Sequence, residues 1–237
     1  MSTIEQVLRI PAFEGEHGLI HGFSTMALGN MGLTHAPDPE AVLGSRRDFA
    51  RALGIDIEPI TTAGAVHGAG VARVDEPVDV VQGVDALVTD RPGVALFATY
   101  ADCYPIVLWD RDVRSAALVH AGWRGTLAEV GRAAVRAMHD EYGSDPEHIL
   151  AGIGPGICGR CYEVGAEVAD RFDARFVRPS PGGRFLLDLA AANKAQLEEA
   201  GVRNVHVIGL CTKETLYLPS HRRSPDGTRF GAIVSLR

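Results

Sequence analysis

The stretch GVALFATYADCYPIVLWDRDVRSAALVHAGWRGT, residues 93–126, decides the architecture of this chain. It contains three apolar runs typical of buried strands, over 93–100, 105–110 and 115–120, and only short turns separate them. A parallel crossover needs about a dozen residues or more, and these connections leave no room for one. The stretch therefore predicts a β-rich centre in which the first two strands pair with the third.

Helical patterns lie on both sides of this centre in the sequence. Residues 38–54 have helical spacing, an acidic start and a glycine stop. Residues 123–143 predict one long amphipathic helix, and shorter helices are predicted over 162–172 and 188–201. Further strands are predicted over 71–75, 85–90, 148–154, 205–210 and 230–236. The pattern predicts an α+β fold in a single domain, residues 1–237, with layered mixed β-sheets at the centre flanked by helices.

Composition narrows the classes of function. The chain has 23 Lys and Arg against 30 Asp and Glu, a formal net charge of −7 at pH 7, whereas nucleic-acid binding proteins are normally basic. No apolar run reaches the roughly 18 residues of a membrane span. The opening MSTIEQVLRI lacks the pattern of a signal peptide. We therefore expect a cytoplasmic protein that binds neither nucleic acid nor membrane, with its four cysteines free or metal-bound.

Three residues at predicted strand ends are candidates for a metal site. Cys103 lies between two strands, and His120 ends the third strand just before a helix. His67, in GAVHGAGV, could join them from the end of an earlier strand. Two imidazoles and one thiolate form a three-ligand zinc set with one open position, which is typical of catalytic zinc. The pattern indicates one zinc per chain, although each residue taken alone is equally typical of a turn or a core.

Other catalytic and metal motifs fit less well. The nine histidines are scattered, and a multicopper centre needs many imidazoles, so copper is disfavoured on ligand supply alone. His17 and His21 have the spacing of a zinc protease motif, but Gly18 stands where that motif needs glutamate. No G-x-S-x-G and no nucleotide-binding glycine motif is present. A nucleophilic pair of Cys103 and His120 stays open as an alternative.

A glycine-rich loop, GIGPGICGRCYEVG at 152–165, is a candidate for anion binding. Its glycines predict backbone amides that face a ligand, around Gly154 and Cys158. The loop also contains a C-x-x-C pair, with Cys161 as its second member. Because the chain has no second C-x-x-C, a structural zinc site made of four cysteines is not expected.

Several arginines could form an anion clamp. The run SHRR at 220–223 places His221 and Arg222 in a basic turn, which is either solvated or used to hold an anion. Arg46 and Arg124 would join that clamp if the fold brings them together. Such a set of arginines beside a metal would suit phosphate.

Five motifs in this order resemble the YfiH family, also called the laccase-domain or polyphenol-oxidase family. The resemblance runs over nearly the whole chain and implies an α+β domain with layered sheets and one zinc held by His67, Cys103 and His120. It implies action on purine nucleosides, namely phosphorolysis of adenosine, inosine, guanosine and methylthioadenosine and deamination of adenosine. The motifs are VHG at 66–68, ADCYP at 101–105, HAGWRGT at 120–126, GIGPGICGRCYEVG at 152–165, and CT followed by SHRR within 211–223.

The residue chemistry and the resemblance together set expectations for individual residues. Catalytic roles are expected for Cys103 and His120, and for Asp102 as a proton carrier or as a residue that orients its neighbours. Nucleoside and phosphate are expected partners. The residues expected to bind them are Arg46, Arg124, Gly154, Cys158, His221 and Arg222. Some bacterial members are linked to the removal of wrongly built peptidoglycan precursors, so a hydrolase that uses Cys103 or the zinc is an alternative.

The chain departs from the family pattern at a few positions, which are expected at the rim of the pocket. There they would change the choice of substrate rather than the binding of metal. The oligomeric state stays open, a monomer being one option. The departures are Ser45, Ala65, Tyr100, Leu218 and Pro219.

Overall fold

A computed structural model describes residues 5–34, 36–56 and 59–237 of the chain. Within these ranges the chain forms fifteen strands and five α-helices. The strands are β1 (Val7–Leu8), β2 (Leu19–Ser24), β3 (Thr61–Gly64), β4 (Val71–Arg73), β5 (Val80–Gln82), β6 (Ala86–Thr89), β7 (Ala95–Tyr100), β8 (Tyr104–Asp110), β9 (Ser115–Ala121), β10 (Leu150–Ile153), β11 (Glu163–Val164), β12 (Val177–Ser180), β13 (Arg184–Leu187), β14 (Asn204–Val207) and β15 (Phe230–Leu236). The helices are α1 (Pro39–Ala52), α2 (Trp123–Leu127), α3 (Val130–Tyr142), α4 (Ala166–Ala169) and α5 (Leu189–Glu199).

Two six-stranded mixed sheets form the centre of the fold. The first sheet has the strand order β1-β2-β15-β7-β3-β5, and the second has the order β14-β10-β8-β9-β6-β4. A third, small antiparallel sheet has the order β11-β13-β12. The predicted α+β class with layered mixed sheets is therefore confirmed.

Alternating side chains of the strands divide the core into layers. Leu96 of β7 packs with Trp109 and Leu118 of the second sheet in the space between the two sheets. Phe97, the next residue along β7, packs on the opposite face with Phe49 of α1. The far face of the second sheet packs against α3 and α5. Each fully buried side chain of this size contributes about 1.5–3 kcal/mol, so the alternation itself fixes the order α1, first sheet, second sheet, α3 and α5.

The three strands predicted over 93–100, 105–110 and 115–120 do not all pair with one another. β8 pairs with β9 as expected, with Pro105 opposite His120. β7 instead pairs with β15 and β3 in the first sheet, so the prediction that it pairs with β9 is wrong. The short connection of residues 101–103 crosses from one sheet to the other. The crossing is possible because the two sheets lie face to face.

The long helix predicted over 123–143 is interrupted. It divides into α2 and α3 at Glu129, whose φ of 59° lies in the left-handed region. The carbonyl of Thr126 accepts a hydrogen bond from the Gln196 side chain at 2.9 Å instead of continuing the helix. The helices predicted over 38–54 and 188–201 are present as α1 and α5, each beginning after an aspartate that accepts a bond from a first-turn amide.

The helix predicted over 162–172 is also largely wrong. Residues 163–164 form β11, and only the four residues of α4 are helical. The strand β11 pairs with β13, and Gly165 then starts the short helix. In the part of the chain that the structure describes, none of the helices has the length and apolar character needed to cross a membrane.

Candidate metal centre

A buried carboxylate holds His120 in one orientation. His120 lies near the end of β9, and its ring packs 5.3 Å from that of Tyr100 between the two sheets. Its Nδ1 lies 3.0 Å from Oδ1 of Asp85, and its backbone N–H donates to the Asp85 carbonyl at 2.7 Å. Nδ1 is therefore occupied, and Nε2 is left to face a cation. Carboxylates orient metal-binding histidines in the same way.

The same carboxylate fixes the segment that carries His67. Three consecutive backbone N–H groups, of residues 66–68, donate to the two oxygens of Asp85 at 3.2, 2.9 and 2.7 Å. His67 has a φ of 61°, a conformation that non-glycine residues adopt only where the surroundings require it. Its ring meets that of His120 edge to face, with centroids 4.9 Å apart. Asp85 thus positions both imidazoles.

Cys103 completes a group of three ligands. It lies at the end of the connection that leads from β7 to β8, next to the strand that pairs with β9. One donor atom from each of His67, Cys103 and His120 lies within 4.8 Å of the others. Zinc binds imidazole nitrogen and thiolate at about 2.0–2.3 Å, and donors around one ion are then separated by distances of this order. The residues therefore fit a zinc ion with three protein ligands.

The charges of this group depend on one another. Burial raises the pKa of the Cys103 thiol, but the charge of His120 and hydrogen bonds from both imidazoles outweigh it, so the pKa is lowered. Burial lowers the pKa of His120, but Cys103 and Asp85 outweigh it, so the pKa is raised. Cys103 is thereby favoured as a thiolate, the form that binds metal and acts as a nucleophile.

Gly122 gives the centre its space. It follows β9 directly and caps α2 with an extended conformation. A Cβ at this position would lie 2.8 Å from Sγ of Cys103 and 3.2 Å from Cδ2 of His67. Real Cβ atoms essentially never approach as closely as 2.8 Å, so any side chain at Gly122 would displace Cys103, and the ring of His67 would have to shift slightly. Gly122, the first glycine of HAGWRGT, is thus required by close approach rather than by a special backbone angle.

Asp102, beside Cys103, ties three parts of the chain together. It has a φ of 85° and is buried. Its Oδ1 accepts from the Thr212 hydroxyl at 2.7 Å, and its Oδ2 accepts from the Arg222 backbone N–H at 2.7 Å. Its carbonyl accepts from the N–H of Ile157 at 2.9 Å. These contacts favour a role in orienting the Cys103 connection over one as a proton carrier.

Tyr162 marks where two of the predicted arginines approach the centre. The guanidinium of Arg222 lies over the Tyr162 ring at 4.9 Å. Burial raises the pKa of Tyr162 to about 12; the charges of Arg222 and Arg124 lower it, while Cys103 and Asp102 raise it. Arg222 is tied to the residue beside Cys103, because its backbone N–H donates to Oδ2 of Asp102. Arg124 lies two residues after Gly122, which packs against Sγ of Cys103.

These arginines keep exposed positions. Arg124, on α2, stacks over Trp123 at 4.3 Å and is exposed. The side chain of Arg222 donates to the Glu163 carbonyl at 2.6 Å. His221 is exposed on the same turn as Arg222. The expected basic turn is therefore present, and its guanidinium is held beside Tyr162.

Arg46 does not belong to this group, contrary to expectation. Its guanidinium donates two hydrogen bonds to the Met31 carbonyl, at 2.9 and 2.7 Å, and lies over the ring of Phe97 at 4.6 Å. Phe97 is on the face of the first sheet that packs against α1. His120 lies on the other side of that sheet, so the sheet separates Arg46 from the metal ligands.

The glycine-rich loop also corrects an expectation. The amide of Gly154 donates to the Pro105 carbonyl at 2.9 Å, and that of Cys158 donates to Sγ of Cys211 at 3.3 Å. Between them, Gly156 and Ile157 donate to the carbonyls of Leu210 and Asp102. These amides have partners within the protein, so Gly154 and Cys158 do not offer them to phosphate. Gly154 serves packing instead, because a Cβ there would lie 2.6 Å from the ring of Phe23.

The departures from the family pattern do not all lie at a rim. Tyr100 is fully buried behind His120, and its hydroxyl donates to the Val119 carbonyl at 3.1 Å. Leu218 is fully buried in the core between the two sheets. Both residues therefore act through packing, and the expectation that they shape the pocket rim is wrong.

The sequence did not lead to a prediction for two residues near the metal ligands, Asp85 and Tyr162. Asp85 stands directly before the apolar run ALVT of β6, and a charged residue at the end of a fully buried strand was the available signal. Tyr162 follows the C-x-x-C pair and was interpreted as the start of a helix. Nothing local in the sequence indicates that its ring lies under the guanidinium of Arg222.

A second group of ligand atoms lies on the loops beyond Asp102. Donor atoms of Cys158, Cys161, Cys211 and Glu214 all lie within 4.8 Å of one another. Cys158 and Cys161 come from the glycine-rich loop, whereas Cys211 and Glu214 come from the segment that follows β14. Only the C-x-x-C pair can be recognised from the sequence, because a cysteine and a glutamate far along the chain form no known motif with it.

Comparisons with known proteins agree with this architecture. A family model described as multi-copper polyphenol oxidoreductase laccase matches residues 18–237. A purine nucleoside phosphorylase of Deinococcus radiodurans is 38% identical over 227 residues, which cover 91% of this chain and 88% of the relative. An adenosine deaminase from an unknown prokaryotic organism is 35% identical and covers 84% of this chain and 82% of its own length.

The fold also has a solved counterpart. The crystal structure of the hypothetical protein YfiH of Bacillus licheniformis superposes with a TM-score of 0.91 at 25% identity. The match covers 99% of this chain and 97% of that one. The layered architecture described above is therefore shared over the full length of both chains.

Proposed function

We propose that this chain, which belongs to the family described as multi-copper polyphenol oxidoreductase laccase, is instead a zinc-dependent enzyme that acts on purine nucleosides. The convergence of His67, Cys103 and His120 within 4.8 Å carries the proposal. Relatives at 35–38% identity are named purine nucleoside phosphorylase and adenosine deaminase, which supports the substrate class. The proposed substrates are adenosine, inosine, guanosine and methylthioadenosine for phosphorolysis, and adenosine for deamination.

The donor set supports zinc and argues against a multicopper centre. Among the described residues, ligand atoms converge in two groups, and only one of these contains histidine, with two imidazoles. A multicopper centre needs many more imidazoles than that. Three protein ligands and an open position are typical of catalytic zinc. When bound, zinc acts as a Lewis acid that polarises an oxygen of its fourth ligand.

The chain's own residues would position the other reactant. In phosphorolysis, phosphate must reach C1′ of the ribose while the base leaves. Arg222 lies over Tyr162 and its N–H donates to Asp102, next to Cys103, while Arg124 follows Gly122, which packs against Sγ of Cys103. We expect their guanidinium groups to hold an anion beside the metal ligands. Asp102 keeps Arg222 there through its backbone N–H. Asp85 keeps His120 aligned, so the ligand set need not reorganise when substrate binds.

The experiment that tests this proposal uses the purified, zinc-loaded protein with adenosine, with and without phosphate, and separates the products by chromatography. Adenine that forms only with phosphate demonstrates phosphorolysis, and inosine that forms without phosphate demonstrates deamination. A Cys103→Ala variant should lose both products, because it removes one of the three ligands. If wild type forms no more product than Cys103→Ala, the proposal is wrong.

The phosphate site has its own matched pair of variants. Arg124→Ala should raise the KM for phosphate about tenfold or more, since a charged contact contributes about 1.5–3 kcal/mol. Arg51→Ala removes an equally exposed guanidinium from α1, on the other side of the molecule. Its phosphate KM should stay at the wild-type value. If both substitutions change the KM for phosphate equally, Arg124 does not belong to the proposed phosphate site.

One contact favours a second candidate, a hydrolase that uses Cys103 as its nucleophile on peptidoglycan precursors. The donor atoms of His120 and Cys103 lie within 4.8 Å of one another, and the charge of His120 lowers the pKa of the Cys103 thiol, which favours the thiolate that a nucleophile requires. This candidate predicts hydrolysis of a muropeptide precursor that persists in the metal-free protein and is lost on alkylation of Cys103. Activity that depends strictly on zinc excludes it.

A further inference from the structure

The structure assigns a second metal site to this chain. We propose that Cys158, Cys161, Cys211 and Glu214 bind one zinc ion in a closed, structural site. The site is independent of the proposed function, since none of its residues belongs to the ligand set of His67, Cys103 and His120. Its donor atoms all lie within 4.8 Å of one another.

The ligand spacing is that of a four-coordinate site. Cys158 and Cys161 form a C-x-x-C pair, and Cys211 and Glu214 form a C-x-x-E pair with the same interval. Sγ of Cys161 lies 3.4 Å from Oε1 of Glu214, and Sγ of Cys158 lies 4.0 Å from its Oε2. Donors around a tetrahedral zinc, with bonds of about 2.0–2.3 Å, lie about 3.4–3.8 Å apart. The four side chains therefore need only small movements to share one ion.

A backbone hydrogen bond joins the two loops at the sulfur of Cys211. The N–H of Cys158 donates to Sγ of Cys211 at 3.3 Å. Hydrogen bonds of this kind fix the orientation of metal-binding side chains. Cys158 therefore approaches Cys211 with its backbone as well as with its thiol.

Both loops that carry the ligands are built before a cation arrives. Gly156 pairs with Cys211 in an isolated parallel bridge. The guanidinium of Arg223 donates to the carbonyls of Thr212, Lys213 and Thr215 at 2.6, 3.1 and 3.2 Å. Arg223, the last residue of the SHRR run, therefore holds the backbone of the loop that carries Cys211 and Glu214. A preformed loop lowers the entropy cost of gathering four ligands.

The site has an entry path and a local counter-charge. Cys211 is buried, Cys158 and Cys161 are partly exposed, and the Glu214 side chain is half exposed. A cation can therefore enter from the side of Glu214. Three thiolates and a carboxylate exceed the charge of one zinc ion, and Arg160 lies 2.9 Å from Glu214 to offset part of that excess.

A redox pair explains less of the arrangement than a metal does. A disulfide between Cys158 and Cys161 would leave Cys211 and Glu214 without a reason to converge on the same point. A shared cation accounts for the convergence of all four side chains. It would also clamp together the two loops that reach Asp102, through Ile157 on one side and Thr212 on the other.

The test counts zinc in the full-length protein, after removal of metal under reducing conditions and reloading with zinc alone. Wild type should bind about two ions per chain. A Cys103→Ala/His120→Ala variant should retain about one, and Cys158→Ser/Cys161→Ser should also retain about one. Arg51→Ala is the control, because it removes an exposed guanidinium from α1, away from both groups of ligands, and should keep about two.

A second measurement does not depend on a variant that folds. The metal-free and zinc-loaded wild-type proteins are treated with iodoacetamide, and the alkylated cysteines are mapped by mass spectrometry. Zinc should protect Cys158, Cys161 and Cys211 at least tenfold in rate. The proposal is overturned if these three cysteines react equally fast with and without zinc. A disulfide between Cys158 and Cys161 that persists in the zinc-loaded protein in the presence of a reductant would overturn it as well.

Discussion

The two groups of metal-ligating side chains differ in what holds them. His67, Cys103 and His120 come from three strand ends or connections, and one buried carboxylate, Asp85, orients both histidines. The other group comes from two loops, and backbone amides and carbonyls hold it. The first has three donors, whereas the second has four.

In the two proposals, this difference separates a site for chemistry from a site for structure. Three ligands would leave one position for a reactant, and the orienting carboxylate would keep the geometry fixed while that position is exchanged. Four ligands would leave no position, so a cation there would only join its two loops. Substitutions should therefore affect activity at the first group, and metal content without loss of chemistry at the second.

The largest effect is expected from Gly122→Ala. The new Cβ would lie 2.8 Å from Sγ of Cys103 and would push this ligand away. We expect kcat/KM with adenosine to fall about a hundredfold, since displacements of about 1 Å have this effect. Gly44→Ala, in α1, has open space around its Cβ and should leave kcat/KM unchanged. Equal activity of the two variants would show that Cys103 has no fixed position.

Asp85→Asn should have the next largest effect. Asparagine keeps the shape of the side chain but loses the charge, and it cannot accept all four hydrogen bonds that Asp85 accepts. Loss of such an orienting carboxylate costs about 10- to 100-fold in metal affinity. Competition with a chromogenic chelator measures this affinity. Asp112→Asn, at an exposed position, is the control, and a drop of the same size there would contradict the assigned role.

A third prediction separates acid release of metal from acid unfolding. Burial lowers the pKa of His21 to about 4, and its Nε2 accepts from the N–H of Ile10 at 2.9 Å. The unfolded chain, with a pKa near 6.5, binds this proton first, so stability is lost as pH falls from about 6.5 towards 4. The titration of His21 alone should lower the free energy of unfolding by about 2 kcal/mol between pH 8 and pH 5, seen as the difference between wild type and His21→Asn.

Denaturant titrations at several pH values measure that loss. His21→Asn keeps an acceptor for Ile10 but does not titrate in this range, so its stability should depend less on pH. His148→Asn, an exposed position, should follow wild type. If His21→Asn keeps the full pH dependence, the acid sensitivity has another origin, and metal release at low pH must be interpreted anew.

The smallest effect is expected from Arg160→Ala. Its ion pair with Glu214 is exposed on both sides, and such pairs contribute about 1 kcal/mol or less. Thermal unfolding should shift only slightly, and the shift should disappear at high salt because exposed charges are screened. A large shift that survives salt would mean that Arg160 does more than balance the charge of Glu214.

Much of the fold can be predicted from the sequence, because the apolar patterns that indicate strands and helices are local. The strands β8 and β9, the helices α1 and α5, and the layered α+β class follow from short stretches. The placement of β7 in the other sheet did not, because a three-residue connection is compatible with a hairpin and with a crossing between packed sheets. The break at Glu129 depends on Gln196, which lies far along the chain.

The candidate site divides in the same way. His67, Cys103 and His120 could be predicted because each interrupts an apolar or glycine-rich pattern with a reactive side chain. Arg46 was placed wrongly, since an arginine on a helix carries no sign of the sheet face on which it will lie. The amides of Gly154 and Cys158 were assigned to a ligand although the fold supplies them with partners.

The crossing between β7 and β8 also has a thermodynamic meaning. His67 follows a strand of the first sheet, His120 belongs to the second, and Cys103 lies on the segment that joins them. A cation held by all three bridges the two halves of the sandwich and opposes their sliding apart. Free zinc at a hundred times its dissociation constant would raise the free energy of unfolding by about 2.7 kcal/mol. If the proposed zinc site is correct, the melting temperature of this protein would therefore also report the concentration of free zinc.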